Sequence, residues 1–248
     1  MKSNKGDLRK RGMIEDIDVE VMFKLSLDEL LKFINSSVAV ERTSSIRVLS
    51  LKGYTLDEKV VELLLERLMI EKSLYTKIEI GTFLEKGNVN VAEKMINYLG
   101  KIGNNQYKSL PDKVSKKISY PLPRDIISRS LGRMNIEILP KLLAVLESRD
   151  EEKISEVIDA IGFLIFYNEK SISIEIFNTI IKTMEIYSEN ELIIWKCTTC
   201  LSAFPLIETV YKLNVILDSN NNEIIRTEAR RSLNIISDKL NKNIENYV

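Results

Sequence analysis

The sequence predicts an all-α fold, an α-α superhelix (α-solenoid) of about six stacked helix pairs. Three observations carry that expectation. Only 9 Gly and 5 Pro punctuate 248 residues, and the apolar runs lack period-2 alternation, too little turn chemistry for a β protein. Apolar residues recur instead at helical spacing, as in Ile154, Val157, Ile158 and Ile161, so each run shows one stripe that it cannot bury alone. The third observation is repetition of a striped run, a tight turn and a second striped run along the chain.

Residues 1–25 read as an N-terminal arm, basic as far as Arg11, whose apolar end from Val19 to Leu25 is suited to cap the array. Residues 26–248 read as one array of first (A) and second (B) helices. Ser26-Leu27-Asp28-Glu29 has the form of a capping box, in which serine and glutamate satisfy each other's orphan amides. Thr55 to Glu58, Asn90 to Glu93 and Ser188 to Glu191 repeat that signature. Pro205 suits a helix start, and Gly53, Gly87 and Gly103 suit helix ends. The A helices are therefore expected near 26–34, 56–69, 91–102, 136–146, 174–187 and 205–217.

The B helices align on the triplets Arg42/Ser45/Leu49, Lys77/Ile80/Leu84, Arg124/Ile127/Leu131, Ile154/Val157/Ile161, Ile194/Cys197/Leu201 and Arg226/Ala229/Leu233. The third position is always Leu or Ile. Ser50, Gly132, Gly162 or Ser202 follows in four of the units, small enough for close helix approach. The period of roughly 30–47 residues is that of two-helix repeats. Leu139-Pro140-Lys141-Leu142-Leu143, the acidic turn after it, the ending Ala160-Ile161-Gly162, and Ile225-Arg226 together resemble the HEAT-repeat family. Lys153-Ile154 departs from that family's Val-Arg opening of helix B. The resemblance covers roughly residues 26–238 and implies an armadillo-like architecture with the B helices lining an inner face, and little more.

The repeat is broken near 104–123, a basic stretch with three prolines and two tyrosines. Insertions of this kind emerge from one face of a solenoid, often the one that binds. Arg42, Lys77, Arg124 and Arg226 share one B-helix column, and Arg47, Arg129 and Arg231 share another. These cations either meet an acidic partner or pair with turn carboxylates of neighbouring repeats. Arg42, Lys77, Lys116, Lys117, Arg124, Arg129, Arg133, Arg226 and Arg230 are the candidate partner-binding residues.

Catalysis finds no support. There is no histidine, no glycine-rich phosphate loop and no nucleophile motif. Cys197-Thr198-Thr199-Cys200 has metal and redox spacing, but Cys197 sits at the core position of its repeat, which makes buried cysteines the expectation. The acidic run Glu147 to Glu156 suits a helix N-terminus. Trp195, the single tryptophan, is expected at an inter-repeat seam. No metal or cofactor is implied. With 36 basic and 36 acidic residues the net charge is zero, which argues against a globally basic nucleic-acid binder. No apolar run approaches membrane-spanning length, and the cytoplasm is the expected compartment. The expected function is a non-enzymatic scaffold that binds a protein through its curved surface. Nucleic-acid binding is the alternative, since the resemblance extends to DNA glycosylases that use a basic groove. Chromophore-attaching lyases also resemble short arrays of this kind, but no residue here points to that role.

Overall fold

The computed structural model describes residues 4–245, with side chains described through residue 240. The first three residues of the expected arm and the last three of the array lie outside the described residues. Among the described residues the chain is all-helical, and it divides into two compact units, 1–103 and 104–248.

The first unit opens with α1 (Lys5–Lys10) and α2 (Asp16–Phe23), then alternates α3 (Leu27–Phe33), α4 (Ala39–Leu51), α5 (Glu58–Ile70), α6 (Leu74–Leu84) and α7 (Val89–Ile96). A helices α3 and α5 pack on B helices α4 and α6, and the B row runs α2, α4, α6. The second unit contains α8 (Ile126–Leu131), α9 (Leu139–Val145), α10 (Glu151–Phe166), α11 (Ile174–Ile186), α12 (Glu191–Leu201), α13 (Ile207–Ser219) and α14 (Glu223–Glu245). Its B row is α8, α10, α12, α14, backed by α9, α11 and α13. The third expected pair is thus divided: α7 belongs to the first unit and α8 to the second.

Ser26 forms the expected capping box. Three other helix starts shift by two residues. Asp57 rather than Thr55 caps α5, Asn88 rather than Asn90 caps α7, and Asn190 rather than Ser188 caps α12. Each stretch offers two short acceptors, and the one whose oxygen reaches the orphan amides of the first turn prevails. Gly53 adopts φ +84 after α4, the left-handed conformation that ends helices at glycine.

The B row of the first unit is unusually polar for a core. Arg42, at the head of α4, donates to both carboxylate oxygens of Glu71 at 2.8 Å and to the Ser36 carbonyl. Glu71 lies in the α5–α6 turn and also accepts from Arg67 and from the amides of Lys72 and Ser73. One residue on, the hydroxyls of Thr43 and Thr76 bond each other at 2.8 Å. The α1–α2 turn crosses this pair: the Arg11 carbonyl accepts from the Tyr75 amide, and Gly12, at φ +88, rests where a Cβ would strike both threonine hydroxyls. The N-terminal arm is thereby a strap across α4 and α6, and glycine is the residue that lets it close.

Burial alone would raise the Glu71 carboxyl, but Arg42, the Ser73 amide and Arg67 outweigh it and hold the group at about 2, against 4.5 unperturbed. A depressed carboxyl contributes stability above its unfolded pKa and loses it as pH falls through the folded one. Urea unfolding of the native chain should therefore show the first unit losing about 3 kcal/mol between pH 5 and pH 2. Glu71→Ala should cost about 3–5 kcal/mol at pH 7, because it strands the buried Arg42. Its unfolding midpoint should also respond less steeply to acid, the remainder coming from carboxyls such as Asp18, which Arg9 holds down.

Candidate functional site

In the second unit the stretch 104–123 does not stand away from the repeats. It folds back along the B helices and is fastened to each in turn. At its start, Gln106 Nε2 donates to Asp125 Oδ2 at 2.8 Å, and Asp125 caps α8 by accepting from the Ser128 amide. Lys108 pairs with Glu152 at the head of α10 at 2.7 Å. The Tyr107 ring meets Trp195 of α12 edge-on with centroids 5.1 Å apart. Arg231 of α14 donates to the carbonyls of Lys117 and Ser119 at 3.0 and 2.9 Å.

The deepest fastening is Tyr120, which is buried against Phe163 and Phe166 of α10. Its hydroxyl occupies the space a Cβ at position 162 would need. Gly162 was expected to admit a neighbouring helix; it admits the insertion instead. At Gly132, by contrast, a side chain would meet Phe163 of the adjacent B helix, which is the expected close approach.

Beneath the insertion lies a cluster of buried charge. Lys196 of α12 is fully buried, with Nζ 2.8 Å from Glu156 Oε1 and 3.0 Å from Asp159 Oδ2, both on α10. Burial would lower the lysine, yet the two carboxylates outweigh it and raise it. Burial lifts Glu156 to about 7, against the pull of Lys196 and helped by Asp159, and it raises Asp159 as well. On α14, Glu228 is buried and raised, opposed by Arg231 at 2.6 Å.

Between this floor and the insertion remains a cavity of about 240 Å³, whose floor includes Asp159, Thr199 and Glu228 and whose walls include Tyr107, Tyr120 and Trp195. Lys113, Lys117 and Arg124 stand at its mouth, all exposed. Arg124 lies over the Tyr107 ring, 4.2 Å from its centroid. The Trp195 indole N–H and the Tyr120 hydroxyl have no hydrogen-bond partner within the protein, although both residues are more than nine-tenths buried.

The sequence-derived candidates separate by surroundings. Arg42 is consumed by Glu71, and in the second column Arg47 pairs with Glu79 of the next B helix. Arg226 bonds Glu223 and the Asn220 carbonyl at the head of its own helix. Arg129 donates to the Pro123 carbonyl, steadying the end of the insertion. Lys77 is half-buried on α6. Lys116, Lys117, Arg124, Arg133 and Arg230 are exposed, and the first three belong to the insertion or its edge.

Cys197 and Cys200 are fully buried, and burial pushes both thiols up, which is the behaviour of packing residues. Among the described residues no group of three or more Cys, Asp or Glu side chains is placed to hold a metal ion. Trp195 packs beneath the insertion rather than simply between repeats.

Sequence reading missed Glu156, Asp159, Lys196 and Glu228. The available signal was a lone lysine within the apolar run Leu192-Ile193-Ile194-Trp195-Lys196-Cys197, matched by two acids three residues apart on the apolar α10.

No family model matches the chain, and no curated protein matches it. Among solved structures it is similar to a designed armadillo repeat protein at 18% identity, covering 85% of this chain and 100% of that one, with a TM-score of 0.36. It is similar also to an engineered protein at 15% identity, covering 93% of this chain and 62% of that one, with a TM-score of 0.37.

Two outcomes follow from this geometry. A carboxyl whose folded pKa is raised binds its proton more tightly in the folded state, so stability falls as pH rises from 4.5 to about 7. Thermal unfolding of the second unit should show that slope, opposite in sign to the acid response of the first, and Glu156→Gln should flatten it. Gly162→Ala should drive Tyr120 from its seat at a cost of about 1–3 kcal/mol. Limited proteolysis within 104–123 should then accelerate.

Proposed function

We propose that this chain is a non-enzymatic helical-repeat scaffold of the HEAT type, and that it binds another protein through the tip of the insertion. The observation that carries the reading is Ile118, an apolar side chain 80% exposed, between loop segments that are anchored on both sides. Tyr120 is buried two residues later, and Arg231 clasps the carbonyls on either side of Ile118. A loop held in this way presents its apolar side chain already ordered, so little conformational entropy is lost on docking. Lys116 and Lys117 are exposed beside it, with Leu122 and Arg124 exposed further along.

An apolar anchor ringed by cations fits a partner surface with an apolar pocket and an acidic rim. Arg230, exposed on α14, could extend the cationic rim. Lys77, half-buried on α6, and Arg226 and Arg129, already engaged by neighbours, would add less. Arg42 takes no part, since its guanidinium is spent on Glu71.

The protein reading outranks the nucleic-acid one because the loop tip offers an exposed apolar anchor, Ile118, which phosphate recognition does not use, and the chain has no net positive charge.

Pull-down from cells that make the protein, followed by titration of the purified partner, tests the reading. Ile118→Asp should weaken binding at least tenfold, and Lys116→Glu with Lys117→Glu should slow association and flatten or invert its decline with salt, because the attraction that salt screens is gone. Unchanged binding in both variants would remove the loop tip from the interface. A mobility shift of DNA or RNA at about 50 mM salt, lost in the lysine variant, would replace the protein partner with a nucleic acid.

A further inference from the structure

The cavity under the insertion has features that docking through the loop tip does not use. Its charge is separated by depth. Glu228 is 1% exposed and Asp159 is largely buried at the floor, whereas Lys113, Lys117 and Arg124 are exposed at the mouth. The floor keeps an excess of carboxylate: Glu156 and Asp159 share the one ammonium of Lys196, and Glu228 pairs with Arg231, so three acids face two cations. Tyr107 and Trp195 supply aromatic walls, against which a cationic or apolar group is favoured over water. The Trp195 indole N–H, buried in that wall, donates to nothing in the protein. A buried donor left without an acceptor costs about 1–3 kcal/mol, a penalty that a ligand oxygen would relieve.

We propose that this cavity binds a small zwitterion of the amino-acid class, with its ammonium group on Asp159 and Glu228 and its carboxylate toward Lys113, Lys117 and Arg124. A single charge of either sign would satisfy one end of the cavity and leave the other end opposed. A volume of about 240 Å³ lies below the range of about 300–1,000 Å³ usual for drug-sized ligands, so the occupant is a compact metabolite. The insertion is the wall that closes the site, since Tyr107, Tyr120 and the mouth cations all come from it or its edge. Occupancy would then also brace the loop whose tip carries Ile118.

Trp195 is the only tryptophan in the chain, so its fluorescence reports on this wall alone. The native full-length protein is titrated with each protein amino acid except tryptophan, to about 10 mM, with calorimetry alongside. n-Butylamine and butyrate serve as single-charge controls. At least one amino acid should give a saturable change with a Kd of about 1 mM or tighter, and neither control should match it. Glu228→Gln and Lys113→Ala should each weaken that binding at least tenfold while keeping the helical circular-dichroism signal. Lys113 is exposed, so its variant decides the matter even if Glu228→Gln fails to fold. No saturable signal by either method overturns the proposal, as does an affinity unchanged in the Lys113 variant. Butylamine binding as tightly as the best amino acid would overturn the zwitterion assignment.

Discussion

The buried ammonium of Lys196 is the interaction on which the second unit depends. A lysine with no exposure is tolerated only if its charge is met at close range, and Glu156 and Asp159 of the adjacent B helix meet it at 2.8 and 3.0 Å. That demand sets the register of α12 against α10 more sharply than apolar packing could, because an apolar seam tolerates small slips and an ion triad does not. Ser128 and Ser232 continue the same row by donating across helices to the carbonyls of Glu156 and Thr198. The B row is therefore a polar seam, unlike the apolar seam of an ordinary helix bundle.

A polar seam has to be shielded, and both units use chain from outside the repeats to do so. In the first, the α1–α2 turn crosses Thr43 and Thr76 with Gly12 as the point of contact. In the second, residues 106–120 lie over α10, α12 and α14, with Tyr120 set into the space left by Gly162. The shared device has different consequences. The strap in the first unit closes directly on the threonine pair. The longer insertion encloses a cavity and leaves Ile118 exposed at its turn, so one segment forms both a wall and a surface.

The pairing of cations follows the same logic. Where a repeat supplies a carboxylate in the next turn, as Glu71 does for Arg42, the column arginine becomes part of the stacking contact. Where it does not, as at Arg124, the side chain stays exposed and lies on an aromatic ring of the insertion. Sequence alignment placed these arginines in one column without distinguishing the two fates, because the distinction rests on residues 29 positions away in one case and on a folded loop in the other.

The fold class, the A and B helices, the burial of both cysteines and the location of the irregular stretch were all legible in the amino-acid sequence. These rest on local periodicity and on caps, properties carried within a dozen residues. Even there, the choice between Thr55 and Asp57, or between Ser188 and Asn190, needed the backbone, since both members of each pair can cap. Tertiary structure alone decided the site. Glu156, Asp159, Lys196 and Glu228 come from three helices, and Tyr107 and Tyr120 from a loop. They converge because each buried charge or ring requires a partner that lies far away along the chain. A one-dimensional pattern records which residues are costly to bury, such as the lone Lys196 in its apolar run. Only packing determines which distant group offsets that cost.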